Sequence, residues 1–164
     1  IRDELTGMYN RRHATERLSK IREMANRNAF SFMVLYIDLD HFKRVNDNHG
    51  HHVGDEVLRE FSAMVRGALS GRDFAARLGG EEFLVVLVKT DRSQGLAMAE
   101  KLREAVTALN FPSAPGLKMS ASLGAAEFRR GESMDQLLAR ADAALYRAKH
   151  GGRNRVCMAT EEPA

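Results

Sequence analysis

The segment RLGGEEFLVVLV, residues 77–88, places a Gly-Gly pair between two short apolar stretches. Such a pair between strand-forming residues is a hairpin signal, because hairpin turns need the positive φ angles that glycine adopts readily. We therefore predict two antiparallel strands over residues 74–78 and 83–88. The turn does not explain the two acids that follow the glycines, Glu81 and Glu82. These acids are therefore candidates for a functional role.

The hairpin lies within an alternating order of helices and strands. Apolar residues recur at helical spacing in four segments, residues 11–26, 53–69, 94–109 and 134–149. Apolar runs typical of strands occupy three more segments, residues 30–40, 118–128 and 155–158. Neither an all-parallel sheet nor a helical bundle fits this order. The order favours an α+β domain with a central, mainly antiparallel sheet covered by helices.

The composition is that of one ordinary globular domain. The chain has 164 residues, of which 44% are hydrophobic and 29% are charged. No apolar run approaches the roughly 20 residues that span a bilayer. The single cysteine, Cys157, excludes an internal disulfide and favours a reducing compartment, so we expect a cytoplasmic domain. We predict that this domain occupies residues 1–158 and that residues 159–164 form a disordered tail.

The strand predicted over residues 30–40 ends in two aspartates, Asp38 and Asp40. Charges at the end of a buried strand are costly unless something neutralises them, and Mg²⁺ prefers carboxylate oxygens together with waters and phosphates. We interpret Asp38 as a metal ligand, whereas Asp40 is equally explained as a cap of the following turn. If this strand neighbours the hairpin, Asp38, Glu81 and Glu82 converge at one rim. Acids on adjacent strands suit metal-assisted phosphoryl or nucleotidyl transfer.

Two further segments carry polar residues that suit a nucleotide. Asn46 and Asp55 flank a glycine turn, and a carboxylate can accept hydrogen bonds from both N1–H and the exocyclic amine of guanine. A first-turn acid favoured by the helix dipole explains Asp55 equally well. Lys149 and Arg153 suit a triphosphate, although a lysine before a glycine is also an ordinary helix ending. The histidines of residues 41–52 lack the cysteines usual in structural zinc sites, so we discount zinc.

Five motifs occur in one order along the chain: DLDHFKRVND, GHHVGDEVL, RLGGEEF, SLGAA and ADAALYRAKHGGRNR. With DELTGMYNRR near the start, they make the chain resemble the GGDEF domains, the diguanylate cyclases, from Asp3 to Val156. The signature loop has the GGEEF form. The resemblance implies a palm-like fold with a ferredoxin-like core, related to class III nucleotidyl cyclases. It also implies condensation of two GTP into cyclic di-GMP, with release of two pyrophosphates, in a twofold homodimer.

The resemblance assigns site residues by motif position. Mg²⁺ or Mn²⁺, two ions per half-site, would be bound by Asp38, the Leu39 carbonyl and Glu81. Glu81 would be the base that assists the 3′-hydroxyl, with Glu82 near the metals as a second catalytic acid. The residues that would bind GTP are Lys43, Asn46, His51, Asp55, Lys149 and Arg153.

One family feature is missing from this sequence. Many members carry an inhibitory product site, Arg-x-x-Asp, whose aspartate is Asp73 here, but Ser70 stands in the place of the arginine. Arg72 is adjacent to Asp73, and neighbouring side chains of an extended segment point to opposite faces. We therefore predict that this product site is absent.

Two alternative functions were weighed against the cyclase. A GTP-binding regulatory domain without turnover usually lacks one of the acids, whereas Asp38, Glu81 and Glu82 are all present. A polymerase-like enzyme is disfavoured because a net charge of +3 offers no template-binding surface, so no nucleic-acid partner is expected. The sequence begins just before the DELTG motif, where family members join a sensor or helical stalk. We expect such an upstream domain in the parent protein, with or without a membrane anchor.

Overall fold

The computed structural model describes residues 1–160 as a six-stranded sheet with helices on both faces. The strands are β1 (Tyr9–Asn10), β2 (Phe32–Leu39), β3 (Phe74–Gly79), β4 (Glu82–Val88), β5 (Ala121–Glu127) and β6 (Arg155–Met158). The helices are α1 (Arg11–Asn28), α2 (Phe42–His49), α3 (His51–Ala68), α4 (Arg92–Thr107) and α5 (Met134–His150). Within residues 1–160, no helix has the length and apolar character needed to cross a bilayer.

The strand order is β1-β3-β4-β2-β5-β6. The four inner strands pair antiparallel, whereas β1 pairs with β3 and β6 pairs with β5 in parallel. From β2 to β5 the chain follows a β-α-β-β-α-β path, and the inner order β3-β4-β2-β5 is that of a ferredoxin-like core. The predicted α+β fold with a mainly antiparallel sheet is confirmed, and the parallel pairs are confined to the two edges.

Strand β2 is buried on both faces, which explains why its sequence is continuously apolar. Its alternate residues Met33 and Leu35 belong to the core formed with α3 and α4. Phe32 and Val34 face the opposite core, formed with α1 and α5. The sheet is therefore sandwiched between two helical layers.

The structure contains two elements that the sequence pattern did not predict. Helix α2 has eight residues and buries only Phe42 and Val45, and so short a segment does not fill the window of about 11–18 residues over which a helical period is recognised. Strand β1 has only two residues. At the other end, Ala159 is buried and its amide donates to the Ala125 carbonyl at 2.7 Å. The chain therefore follows the sheet beyond residue 158; residues 161–164 of the predicted tail lie outside the described residues.

Candidate functional site

Two of the predicted acids, Asp38 and Glu82, lie side by side where β2 ends and β4 begins, and Glu81 lies in the adjoining turn. Asp38 lies directly opposite Glu82 in the antiparallel register, so the two side chains share one face of the sheet. The Leu39 amide donates to the Glu81 carbonyl at 3.2 Å, which fixes the glycine turn beside the end of β2. In that turn Gly79 and Gly80 have φ angles of 157° and 49°. The expectation that these strands are neighbours is confirmed.

Asp38 is a nearly buried carboxylate with one clear cationic partner. Its side chain is 9% exposed, and Lys149, from the last turn of α5, forms an ion pair with its Oδ2. A carboxylate in this position needs a countercharge because burial removes its hydration. Lys149 therefore joins α5 to the acidic strand end. Two residues before Asp38, burial and the nearby Asp142 carboxylate raise the pKa of the Tyr36 phenol above its ordinary value.

A cavity of about 380 Å³ opens next to this strand end, between the glycine turn and helices α2 and α3. Five of the predicted site residues line it: Lys43, Asn46, His51, Asp55 and Glu81. The remaining lining residues are Phe42, Leu58, Arg77 and Gly80. The structure thus divides the predicted site into a polar cavity, to which Glu81 belongs, and the adjoining group of Asp38, Leu39, Glu82 and Lys149. Arg153 lies outside the cavity, exposed on the loop that follows α5.

Gly54 determines where the Asn46 side chain lies. A Cβ at this position would be 1.9 Å from Asn46 Oδ1, so the amide group of Asn46 lies directly over the glycine. Sequence reasoning missed this residue. The available signal was a glycine inside a strongly helical segment, where a glycine is unfavourable unless close packing requires it.

Arg77 holds the glycine turn from the side of β3. Its Nε donates to the Gly80 carbonyl at 3.0 Å, and its Nη1 contacts the Asp3 carboxylate at 3.2 Å. Asp3 also accepts hydrogen bonds from the Thr6 amide and hydroxyl at 2.9 and 2.7 Å. Partial burial raises the pKa of Asp3, but the Thr6 and Arg77 contacts outweigh it and lower the pKa below its ordinary value. The start of the chain is therefore tied to the glycine turn, a link that the sequence did not suggest.

Asp40 does not cap the following turn, so that interpretation is wrong. Helix α2 has no side-chain hydrogen bond at its N-terminal cap, His41. Asp40 instead accepts hydrogen bonds from the Ser120 and Ser122 hydroxyls at 2.6 and 2.7 Å and from the Asn154 amide at 3.0 Å. Its carboxylate joins β5 to the loop that carries Arg153.

The oxygen donors of the strand end fit a hard divalent cation. Within residues 1–160, no three His, Cys, Asp or Glu side chains cluster closely enough to hold a metal by themselves. Mg²⁺, however, typically takes one or two protein carboxylates and completes its shell with water and substrate phosphates. The carboxylates of Asp38 and Glu81 and the carbonyl of Leu39 are donors of that kind.

Asp73, at the position of the family's product site, is hydrogen-bonded to its own turn and to β4. Asp73 Oδ2 accepts hydrogen bonds from the Ser70 hydroxyl and amide, at 2.9 and 3.3 Å. Asp73 Oδ1 accepts from the Val88 amide at 2.9 Å. This aspartate therefore has a structural role at the start of β3, and the lack of product inhibition stays a prediction.

Comparison with known proteins identifies the family. Residues 1–155 match the family model described as "Diguanylate cyclase, GGDEF domain", and the chain belongs to that family. The chain is 40% identical over 161 residues to the diguanylate cyclase DgcP of Pseudomonas aeruginosa, covering 97% of this chain and 24% of DgcP. The chain spans less than half the length of the curated relatives that it matches.

Solved structures agree with this family assignment. The coiled coil and GGDEF domain of DgcB from Caulobacter crescentus, in complex with c-di-GMP, superposes with a TM-score of 0.91 at 34% identity, over 96% of this chain and 85% of that chain. The active GGEEF domain of a diguanylate cyclase from Vibrio cholerae gives a TM-score of 0.85 at 31% identity, over 94% and 99% of the two chains.

Proposed function

We propose that this domain condenses two molecules of GTP into cyclic di-GMP and releases two pyrophosphates. The observation that carries the proposal is that Asp38 lies opposite Glu82 at the rim of the sheet where Glu81, in the adjoining turn, borders a polar cavity. In each half-reaction the 3′-oxygen of one GTP bonds to the α-phosphorus of the other. The bond from that phosphorus to the bridging oxygen breaks, and pyrophosphate leaves. Glu81 accepts the proton of the 3′-hydroxyl as general base.

Guanine would be recognised at the α2–α3 end of the cavity. The Asp55 carboxylate accepts from N1–H and the exocyclic amine, and the Asn46 amide pairs with the remaining base edge. Adenine offers no such pair of donors, so these two residues would select GTP over ATP. His51 and Lys43 line the same cavity and would contact the rest of the nucleotide.

The phosphates would lie toward the strand end. Lys149 is placed at Asp38, and Arg153 follows it on the next loop. Asp38, the Leu39 carbonyl and Glu81 would hold Mg²⁺ or Mn²⁺, two ions per half-site. Bound there, the metal would lower the pKa of the attacking hydroxyl and stabilise charge on the leaving group. Together with the single cysteine, a GTP substrate supports a cytoplasmic location.

The cavity beside the glycine turn would hold one nucleotide, whereas the product needs two antiparallel nucleotides, so the active form would be a twofold dimer with an upstream sensor or stalk. We expect specific activity to rise with protein concentration. Fusing a parallel dimeric coiled coil before Ile1 should raise activity at low concentration by increasing the effective concentration of the second half-site. Concentration-independent activity from a demonstrated monomer would contradict the dimer of half-sites.

The decisive experiment is incubation with GTP and Mg²⁺ followed by separation of the nucleotides. The native domain should form cyclic di-GMP, whereas Glu81→Gln should form none and remain folded, because an amide is neither a base nor a strong metal ligand. Glu60→Gln, the same change at an exposed position of α3, is the matched control and should keep full activity. Binding of GTP without product from the native domain would instead favour an inactive, GTP-binding regulatory domain.

A further inference from the structure

Asp40 is a buried carboxylate that the proposed chemistry does not use. It is 5% exposed, and both of its oxygens accept hydrogen bonds from outside its own strand. Oδ1 accepts from the Ser122 hydroxyl at 2.7 Å. Oδ2 accepts from the Ser120 hydroxyl at 2.6 Å and from the Asn154 amide at 3.0 Å. A buried carboxylate with this many donors joins separate segments rather than binding solvent.

The Asn154 end of this network belongs to a loop with an unusual backbone. Arg153 and Asn154 have φ angles of 64° and 46°, in the left-handed region that few residues other than glycine adopt, although asparagine does so more readily than arginine. Asp40 accepts a hydrogen bond from the backbone amide of Asn154, and Arg103 of α4 donates to the side-chain oxygen Oδ1 of Asn154 at 3.0 Å. The Arg153 amide donates to the Ala148 carbonyl at 3.0 Å. The loop is therefore fixed on three sides.

We propose that Asp40 is a positioning residue that fixes this loop, residues 151–154, and thereby places Arg153, one of the two proposed phosphate-binding cations. This inference rests on the proposed function, which assigns Lys149 and Arg153 to the phosphates. The end of β2 then has two tasks. Asp38 contacts Lys149 directly, and Asp40 holds the backbone beside Arg153. The positions of both cations are therefore fixed relative to the end of β2, which carries the proposed metal ligand.

The test separates phosphate binding from guanine binding. The dissociation constants of guanosine and of α,β-methylene GTP, whose carbon bridge prevents release of pyrophosphate, are measured by calorimetry with Mg²⁺. The native domain should bind the triphosphate more tightly than guanosine. The affinity ratio is the dissociation constant of guanosine divided by that of the triphosphate. In Asp40→Ala this ratio should fall about tenfold, the usual scale of one charge-assisted hydrogen bond, with guanosine affinity unchanged. A general loss of structure would lower the affinity for both ligands by the same factor.

Ser122→Ala is the matched control. Ser122 is fully buried and donates to the same carboxylate, but its loss leaves the Asn154 bond in place. We expect a lower Tm and an unchanged affinity ratio. An equal fall of the ratio in Ser122→Ala would overturn the inference, because any loosening near Asp40 would then suffice.

Asp40→Asn serves if Asp40→Ala does not fold. A neutral amide oxygen accepts about half as strongly as a carboxylate, so the ratio should fall about threefold; an unchanged ratio would overturn the inference. The proposed function is judged separately from this series. Equal affinity of the native domain for both ligands would refute the phosphate roles of Lys149 and Arg153 and the inference with them. A ratio unaffected by Asp40→Ala, with cyclic di-GMP still formed, would refute the inference alone.

Discussion

Replacing Gly54 by alanine should weaken guanine binding while leaving the domain folded. The added Cβ would lie 1.9 Å from Asn46 Oδ1 and 3.0 Å from its Cγ, far inside any carbon–oxygen contact. The nearest other atom is Phe42 Cζ at 3.4 Å, which is ordinary contact. The clash therefore falls on the movable end of one side chain, and the helix can stay in place while Asn46 moves away.

The size of the effect follows from these distances. To reach ordinary contact the Asn46 oxygen must withdraw by roughly 1.5 Å, whereas a hydrogen bond tolerates only about 0.5 Å. Loss of a buried hydrogen-bond partner costs about 1–3 kcal/mol, so GTP affinity should fall about 5- to 150-fold. Alanine is about 1 kcal/mol more favourable than glycine inside a helix, which offsets the cost of moving the Asn46 side chain. The free energy of unfolding should therefore change little.

The assay is calorimetric binding of α,β-methylene GTP, combined with thermal unfolding. Gly67→Ala is the matched control, because Gly67 lies in the same helix and a Cβ there meets nothing within 4 Å. Asn46→Ala and the double variant complete a cycle. Since Asn46→Ala removes the clashing group, the double variant should bind no worse than Asn46→Ala alone. Native affinity in Gly54→Ala, or additive losses in the double variant, would refute the reasoning.

Three other outcomes are expected. Gly124→Ala should lower stability by about 1–3 kcal/mol, because its Cβ would lie 2.2 Å from the Leu145 backbone nitrogen on α5. Gly95→Ala should cost less, because only the flexible Met33 side chain must move. Equal losses of Tm in the two variants would contradict this prediction. Asp3 should stabilise the fold fully at neutral pH, measured as the difference in unfolding free energy between the native domain and Asp3→Asn. This difference should shrink as pH falls below the ordinary pKa of 3.8 and through the lowered folded-state pKa. A difference that stays constant with pH would count against this prediction. Initial rates should stay nearly flat with added micromolar cyclic di-GMP, because Ser70 lacks the charged fork of an arginine; submicromolar inhibition would point to another product site.

The sequence predicted the elements whose side chains repeat with a clear period. The antiparallel hairpin and the central strand were found because burial on both faces makes their residues continuously apolar, with glycines at the turn. Helix α2 was missed because it is short. It has eight residues, of which only Phe42 and Val45 are buried, while Lys43 and Asn46 line the cavity. Helical periodicity is recognised over a window of about 11–18 residues, which a segment of this length does not fill.

Residues proposed to do chemistry are easier to predict from sequence than residues that hold them in place. Asp38 and Glu81 could be proposed from sequence because charged groups at a strand end need an explanation wherever the rest of the chain lies. Asp40 has the same local setting, and its partners Ser120, Ser122 and Asn154 are 80, 82 and 114 residues away. No local pattern distinguishes a carboxylate that will meet a cation from one that will meet hydroxyls and an amide of distant segments. The difference arises only when β2, β5 and the loop after α5 are packed together, so positioning residues of this kind become visible only in the folded structure.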